Sequence, residues 1–378
     1  MIDPQRRAQD FPSLATKCYL NTAAESIPPV CVGEALQEYW RDKLLGMKGR
    51  DGHYARVEQC REIAARSVGL APAEVAFCSC SAEAYNLLAT AVELRPGDEV
   101  VISDLDFPSG ATPWLANTRR HTVRVWRNRD GQLEAQDLPP LLNARTRLVQ
   151  VSLVSFFNGQ RVDWRPFHDA VRRYAPNALL AVDVTQALGR VPLDCRDADI
   201  IISSTHKWTL GIHGGCIVGI PVARAAELTT RAGGWFHLEN AFDADRFERV
   251  ATKKGAPSFA TGMPNFAAIY ALNASLRYLA DIGIENIARH ADPLTERAYT
   301  GLQQLGLKLM APWSRKNPSG IMAFRHPRTA EIHAALEREN IHVMHHAGRL
   351  RVAIHGYNTA ADVAHFLATM ERALAAVG

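Results

Sequence analysis

The sequence predicts an α/β protein with a mostly parallel mixed sheet flanked by helices, followed by a smaller α+β region. Between residues 75 and 220, short apolar runs alternate with helical patterns, which is typical of strands buried on both faces and joined by helices. From about Pro264 the pattern changes to one long amphipathic helix and then to mixed strands and helices. The 378 residues, 47% of them hydrophobic, are enough for two domains.

The elements follow from local periodicity and from runs of β-branched residues. The predicted strands of the first part are EVAFCS (74–79), EVVISD (99–104), TVRVWR (122–127), RLVQVSLVSF (147–156), ALLAVDV (178–184), ADIIISS (198–204) and GGCIVGI (214–220), and its predicted helices are SAEAYNLLATAVEL (81–94) and DWRPFHDAVRRYA (163–175).

The last part of the chain predicts a helix at NFAAIYALNASLRYLADIG, strands at GIMAFRHP, IHVMHH and RLRVAIH, and helices at TAEIHAALEREN and from Ala360 onward. We therefore expect a large domain over residues 15–262 and a small domain over 263–378. Residues 1–14 are expected to belong with the small domain.

Composition and motifs exclude several classes of protein. The net charge of +4 is small for this length, and no dense basic patch suits nucleic acid. No P-loop, dinucleotide fingerprint, nucleophile elbow or zinc-protease motif is found. His345 and His346 have no third ligand at metal spacing, so no metal site is expected. Seven scattered cysteines, the lack of a signal-like start and the lack of an apolar span predict a soluble cytoplasmic protein with reduced thiols.

A lysine lies at the mouth of the predicted core. Lys207, in SSTHKWTLG, directly follows the strand ADIIISS. Burial disfavours the charged form of a lysine, so its free amine becomes available to condense with an aldehyde. An aldehyde cofactor that suits such a lysine is pyridoxal 5'-phosphate. Its ring nitrogen needs a carboxylate, its phosphate needs donors at a helix N-terminus, and its ring needs a flat neighbour.

Each of these needs has a candidate at the end of a predicted strand. Taken singly, each candidate is more often a cap, loop or core residue, but together they predict a cofactor site, since ligands bind at the carboxyl ends of such strands. The candidates are Asp183 for the ring nitrogen, Ser204, His206, Ser81 and Ala82 for the phosphate, Phe107 for stacking and Gln186 for the phenolic oxygen.

Several motifs together resemble the class V aminotransferase family, which includes cysteine desulfurases, kynureninases and isopenicillin-N-epimerase-like proteins. The motifs are YLNTAAESIPP (19–29), SAEAYNLL (81–88), VDVTQALGRVPLD (182–194), SSTHKWTLGIHGG (203–215), TGMPNFAAIYALNASLRYLADIGIENI (261–287) and RVAIHGYNT (351–359). The resemblance implies PLP fold type I and a homodimer with its sites at the subunit interface.

The resemblance also implies roles for individual residues. Lys207 would form the Schiff base and move the proton, and Asp183 would pair with the pyridinium. Arg351 would bind the substrate carboxylate through its two-pronged guanidinium. Asn21 to Ala24 would line the substrate.

Departures from the family pattern concern the reaction. No cysteine follows Cys216, whereas a desulfurase needs a thiol just before the arginine, so desulfurase activity is not expected. Phe107 stands where desulfurases stack a histidine, and Phe156 stands where many relatives have asparagine. Met263 replaces the threonine that in the family reaches the partner's phosphate, and Thr261 is the candidate replacement.

We therefore expect a transferase or lyase that carries out transamination or β-elimination of the C–S lyase type on an amino acid. Phe156 and Trp235 are candidate walls for an apolar or sulfur-bearing side chain. Amino-acid epimerisation is an alternative, although Phe107 occupies the face where a second acid would act. A non-catalytic scaffold or regulator with the same fold is a further alternative.

Overall fold

The computed structural model describes residues 2–116 and 121–377. The α-helices in these residues are α1 (Pro4–Asp10), α2 (Val30–Leu44), α3 (Arg50–Val68), α4 (Ser81–Ala91), α5 (Pro108–Leu115), α6 (Trp164–Tyr174), α7 (Phe266–Ile282), α8 (Ile284–Gln304), α9 (Thr329–Arg338) and α10 (Ala360–Val377). The strands are β1 (Cys18–Tyr19), β2 (Val75–Cys78), β3 (Asp98–Ser103), β4 (His121–Trp126), β5 (Thr146–Ser152), β6 (Leu179–Asp183), β7 (Ile200–Ser204), β8 (Cys216–Gly219), β9 (Ile321–Arg325), β10 (Ile341–His342), β11 (Met344–His346) and β12 (Arg349–Ala353).

A seven-stranded mixed sheet forms the centre of the chain, in the order β2-β8-β7-β6-β5-β3-β4. The run from β4 to β7 is parallel, and β8 is antiparallel to both β7 and β2. Strands such as β6 and β7 are buried along their whole length, because apolar side chains pack on both faces of the sheet. The predicted α/β class with a mostly parallel mixed sheet is confirmed.

Two predicted elements end earlier than expected. β5 stops at Ser152 rather than at residue 156. The chain leaves the sheet there and folds into a hairpin, in which Val154 bridges Arg161 and the Ser155 N–H donates to the Gln160 carbonyl over 2.8 Å. The helix α4 ends at Ala91, because Val92 takes an extended conformation.

The C-terminal part contains a three-stranded antiparallel sheet in the order β11-β12-β9, covered by helices α8, α9 and α10. The N-terminal segment joins this part, because β1 pairs in parallel with β10 and Asn21 bridges Ala353. The segment then continues toward the carboxyl end of β7, where the Ser26 N–H donates to the His206 carbonyl over 3.1 Å. The predicted domain boundary at residues 262 and 263 stays a prediction.

Two features are absent from residues 2–116 and 121–377. None of their helices is both long and apolar enough to cross a membrane. No group of three or more histidine, cysteine, aspartate and glutamate side chains among them is placed to hold a metal ion.

Candidate active site

A cavity of about 100 Å³ lies at the carboxyl ends of β5, β6 and β7, beside Lys207. Parallel strands present their ends at the same edge of a sheet, which is why residues from distant parts of the sequence meet there. The lining residues are Ser81, Phe107, Ser152, Val154, Phe156, Asp183, Thr185, Gln186, Ser204, His206 and Lys207.

Lys207 supplies an amine whose charge is weakened by its surroundings. Burial lowers the pKa of Lys207 to about 8, and the positive charge of Arg351 acts in the same direction, while the Asp183 carboxylate opposes the shift. A substantial fraction of this lysine is therefore the neutral amine near pH 8. The neutral amine is the form that attacks an aldehyde.

Asp183 ends β6 next to β7 and is 8% exposed. One of its carboxylate oxygens accepts a hydrogen bond from the Thr185 N–H over 2.8 Å. Thr185 also accepts a hydrogen bond from the Ser204 N–H over 3.0 Å, so one threonine links the ends of the two strands. A buried carboxylate held in this way can pair with a protonated ring nitrogen.

Ser81, Ser204 and His206, the predicted phosphate ligands, line one cavity. Ser81 and Ala82 are the first residues of α4, where backbone N–H groups have no acceptor within the helix and the helix dipole favours an anion. Burial lowers the pKa of His206 to about 4, and the charge of Lys207 contributes. His206 is therefore a neutral hydrogen-bonding group at pH 7.

Gln186 is fixed by two hydrogen bonds. Its Nε2 donates to the Ala23 carbonyl over 3.0 Å, and its Oε1 accepts from Trp208 Nε1 over 2.6 Å. The side-chain amide has two N–H bonds, so one donor remains for a ligand in the cavity. Gln186 lines the cavity, and its role beside a phenolic oxygen stays a prediction.

Phe107 begins α5 and faces the lysine, with Lys207 Nζ 5.2 Å from the centre of its ring. The preceding residue, Asp106, accepts hydrogen bonds from the N–H groups of Ser103 over 2.9 Å and Ser152 over 2.6 Å. This carboxylate ties the end of β3 to the end of β5 and thereby fixes the start of α5. Phe107 also makes an edge contact with Phe156, at 4.9 Å between ring centres.

Arg351 comes from β12 and is buried. Its Nη1 donates to the Phe156 carbonyl over 2.7 Å, whereas Nε and Nη2 have no hydrogen-bond partner among the described residues. Burial lowers the pKa of Arg351 to about 9, which leaves it charged at neutral pH. A buried cation with unsatisfied donors suits a carboxylate ligand.

The described chain does not bring every predicted residue into this cavity. Thr261 and Met263 line a neighbouring pocket beside Ser79, and Trp235 donates its N–H to the Thr261 carbonyl over 3.0 Å. Asn21 and Ala24 lie on the segment that passes the cavity, where the Asn21 carbonyl accepts from the Ala24 N–H over 2.9 Å. The roles of these five residues stay predictions.

Three lining residues were not predicted: Ser152, Val154 and Thr185. Ser152 was missed because the predicted strand continued past it to residue 156, whereas in the structure it ends β5 and is paired in register with Asp183. Tyr85 was also missed. Its hydroxyl is buried without a partner among the described residues, and burial together with the Asp183 charge raises its pKa well above the ordinary value.

A second unpredicted group lies at the mouth of the cavity. The ring of His213 stacks on the ring of His206, with 4.2 Å between their centres and 19° between their planes. His213 Nε2 lies 3.2 Å from a carboxylate oxygen of Glu25. These residues come from two loops that are distant in the sequence.

The donor set of the cavity fits pyridoxal phosphate. A partly neutral amine, a buried carboxylate, hydroxyls at a helix N-terminus, a free amide N–H and an aromatic face line the same small volume. The amine would hold the aldehyde, Asp183 the ring nitrogen, and Ser81, Ser204 and His206 the phosphate. Arg351 has no role in this cofactor assignment and would be available to bind a carboxylate that does not belong to the cofactor.

Comparisons with known proteins identify the family of the chain. Residues 18–366 match the family described as aminotransferase class-V. An uncharacterised aminotransferase, YcbU, of Bacillus subtilis (strain 168) is 30% identical over 366 residues, covering 96% of both chains. A probable cysteine desulfurase of Methanothermobacter thermautotrophicus is 27% identical, again over 96% of both chains.

Solved structures share the fold. The apo structure of a cysteine desulfurase from Thermococcus onnurineus NA1 has a TM-score of 0.88 at 23% identity, covering 100% of this chain and 99% of its own. The cystine C-S lyase C-DES, in complex with its reaction product cysteine persulfide, has a TM-score of 0.87 at 21% identity, covering 96% and 99%. Both support PLP fold type I.

Proposed function

Because the chain belongs to the aminotransferase class-V family, whose cofactor is pyridoxal phosphate, we propose that it carries out transamination or β-elimination of the C–S lyase type on an amino-acid substrate. One observation carries the proposal. The amine of Lys207, with a pKa lowered to about 8, is influenced by the charges of both the Asp183 carboxylate and the Arg351 guanidinium, and two nitrogens of that guanidinium have no hydrogen-bond partner among the described residues.

Different residues of the chain bind the substrate, orient the cofactor and transfer the proton. When bound, pyridoxal phosphate supplies an aldehyde that captures the substrate amino group and a ring that draws electrons from Cα. Arg351 holds the substrate carboxylate through Nε and Nη2, while its Nη1 stays on the Phe156 carbonyl. Asp183 keeps a proton on the ring nitrogen. Lys207 Nζ accepts the proton of Cα and can return it to a carbon or to a leaving group.

The aromatic side of the cavity favours these two reactions over epimerisation. Epimerisation benefits from a second acid on the face opposite the lysine. Phe107 lies on that side, 5.2 Å from Lys207 Nζ, and a phenyl ring carries no exchangeable proton. Transamination and β-elimination require only Lys207 as the proton carrier.

Persulfide formation on a protein thiol does not suit this chain, although several of its relatives are named cysteine desulfurases. That chemistry requires a cysteine that reaches the substrate sulfur. The turn between β11 and β12, just before Arg351, consists of Ala347 and Gly348 and carries no thiol. The last cysteine in the sequence is Cys216, which is buried in β8.

The protein is proposed to act as a homodimer. Large apolar side chains are exposed on α2 and on the segment from residue 235 to 250, including Trp40 at 61%, Phe242 at 82% and Phe247 at 90% exposure. Patches of this kind mark protein interfaces. Met263 and Thr261 are proposed to approach the cofactor of the partner subunit. Light scattering on the purified protein measures the oligomeric state directly, and a monomer would contradict this part of the proposal.

The reaction is tested by incubating the cofactor-loaded protein with L-cysteine conjugates and, separately, with L-amino acids plus pyruvate. Pyruvate and ammonia released from conjugates indicate β-elimination, and alanine formed from pyruvate indicates transamination. The Lys207→Ala variant serves as the inactive control. Racemised substrate without either product would favour epimerisation. A cofactor band that never responds to any amino acid would favour a non-catalytic scaffold.

A further inference from the structure

The part of the cavity wall formed by the predicted phosphate ligands holds little positive charge. Ser81 and Ser204 are neutral, and burial keeps His206 neutral because its pKa is lowered to about 4. Lys207 is the only lysine or arginine in the described lining, and its amine is committed to the aldehyde. A phosphate monoester carries a charge of about −1.5 to −2 at pH 7. With so little charge, this wall depends on hydrogen bonds, so the orientation of the His206 ring matters for phosphate binding.

His213 packs against the His206 ring, and its own position is well defined. Its ring lies 4.2 Å from that of His206 and nearly parallel to it. The following residue, Gly214, has a φ of +88°, and an added Cβ would collide with the Asn265 amide. The backbone that carries His213 is therefore held in a conformation that favours glycine after the histidine.

Glu25 contacts the edge of the His213 ring, whereas His206 stacks on its face. Its carboxylate lies 3.2 Å from His213 Nε2. The next residue, Ser26, donates both its N–H and its hydroxyl to the His206 carbonyl, each over 3.1 Å. The segment that carries Glu25 is thus attached to the same loop as His206 and Lys207.

The stacked arrangement leaves the ring edge of His206 directed away from its neighbour, because stacking uses the ring faces. The charged and titratable groups that face His213 and its partners are Glu25, His206 and Lys207. A histidine in this position restricts the His206 ring.

We propose that His213, held by Glu25, is a positioning residue of the cofactor phosphate site, which fixes the His206 ring so that its edge can donate to the phosphate. This inference rests on the proposed cofactor site, but it concerns only the phosphate and not the reaction. It predicts that His213 and Glu25 contribute to the binding of pyridoxal phosphate and not to the binding of pyridoxal, which lacks the phosphate.

The test compares the two vitamers on the cofactor-free protein. Dissociation constants for pyridoxal phosphate and for pyridoxal are measured from the visible absorption band, for the wild type and for His213→Asn. We expect the affinity for pyridoxal phosphate to fall about tenfold, as for the loss of one interaction with a charged group. The affinity for pyridoxal should stay unchanged. Glu25→Gln should give a smaller loss in the same direction.

His365→Asn, an exposed histidine on α10, is the matched control and should leave both constants unchanged. Wild-type affinity of His213→Asn for pyridoxal phosphate would overturn the inference. An equal loss for both vitamers would also overturn it, since the histidine would then support the loop and not the phosphate. Failure of the wild type itself to bind pyridoxal phosphate would instead refute the cofactor site.

Discussion

The seven-stranded and the three-stranded sheets each supply a buried basic side chain to the candidate active site, and the two side chains differ in how much of their positive charge they keep. Lys207 follows β7 of the seven-stranded sheet, and Arg351 belongs to β12 of the three-stranded sheet. Burial is the largest cause of a lowered pKa in both, to about 8 for Lys207 and about 9 for Arg351. Because arginine starts from a higher value, it remains a cation at neutral pH while the lysine becomes partly neutral.

A second contrast lies within β12. Arg349 and Arg351 are both buried, each 2% exposed. Arg349 donates to the carbonyls of Phe157 and His346, over 3.0 and 3.2 Å, and lies 4.2 Å from the Phe157 ring centre. Arg351 has one such bond and two unpartnered nitrogens. The comparison indicates that Arg349 stabilises the fold and that Arg351 is kept for a ligand.

The largest effect is expected from removing the amine. Lys207→Ala should lower turnover by about 10³-fold or more, because it removes both the covalent anchor and the proton carrier. The measurements are turnover and the visible absorption band after incubation with pyridoxal phosphate. Lys308→Ala, which changes an exposed lysine, is the control and should be normal. Substantial turnover in Lys207→Ala would contradict the role of this amine as covalent anchor and proton carrier.

Replacing Arg351 by lysine should raise the KM for the amino-acid substrate by about 10- to 100-fold, because a lysine cannot make the two-pronged contact. The affinity for pyridoxal phosphate should change little. Steady-state kinetics and a cofactor titration separate the two effects. An unchanged KM would mean that the substrate carboxylate binds elsewhere.

Arg349→Lys should act on stability instead. Two hydrogen bonds and a contact with an aromatic ring are lost or weakened, so the free energy of unfolding should fall by about 1–3 kcal/mol. Urea unfolding of the cofactor-free protein measures this change, and the KM of the loaded enzyme should stay close to that of the wild type. A large rise in KM with normal stability would reverse the assignment of the two arginines.

The smallest effect concerns the interaction between the two cations. The rate at which the cofactor-free protein takes up pyridoxal phosphate should rise with pH through about 8, since only the deprotonated Lys207 amine attacks the aldehyde. Arg351 lowers the pKa of Lys207 by charge repulsion. In Arg351→Gln the midpoint of the rate profile should therefore move to higher pH.

Stopped-flow absorbance measures this profile, and Arg349→Gln is the comparison, because Arg349 does not act on the lysine pKa. A downward shift in Arg351→Gln, or an identical shift in both variants, would show that the guanidinium charge of Arg351 does not govern the amine.

The strands that carry Asp183 and Lys207 were predicted to within one or two residues, because buried β-branched runs leave few alternatives. The end of β5 was predicted wrongly. Leu153, Val154 and Phe156 are apolar like the strand before them, and apolarity alone does not show where pairing stops. The helix α8 was not predicted. It begins directly after Gly283, whose φ of +85° ends α7, and it contains Pro293, a residue type that usually breaks a helix.

The cofactor candidates could be predicted because each ends a strand or begins a helix, and the topology gathers such positions at one edge. The pair of Glu25 and His213 could not be predicted. Its members belong to two loops, and no local pattern shows that the N-terminal segment passes the loop after β7. The unpartnered nitrogens of Arg351 also depend on three-dimensional packing. The sequence predicts the arginine through family resemblance alone.

The anchor of Arg351 has a consequence for how this enzyme can diversify. Nη1 of Arg351 donates to the main-chain carbonyl of Phe156. The side chain of Phe156 contacts the ring of Phe107. Exchanging the side chain at position 156 therefore leaves the guanidinium tether in place, since every amino acid supplies the same carbonyl. In the proposed site, the side chain at position 156 and the carboxylate-binding arginine can therefore be varied separately, which makes position 156 a suitable site for a saturation library aimed at new amino-acid selectivity.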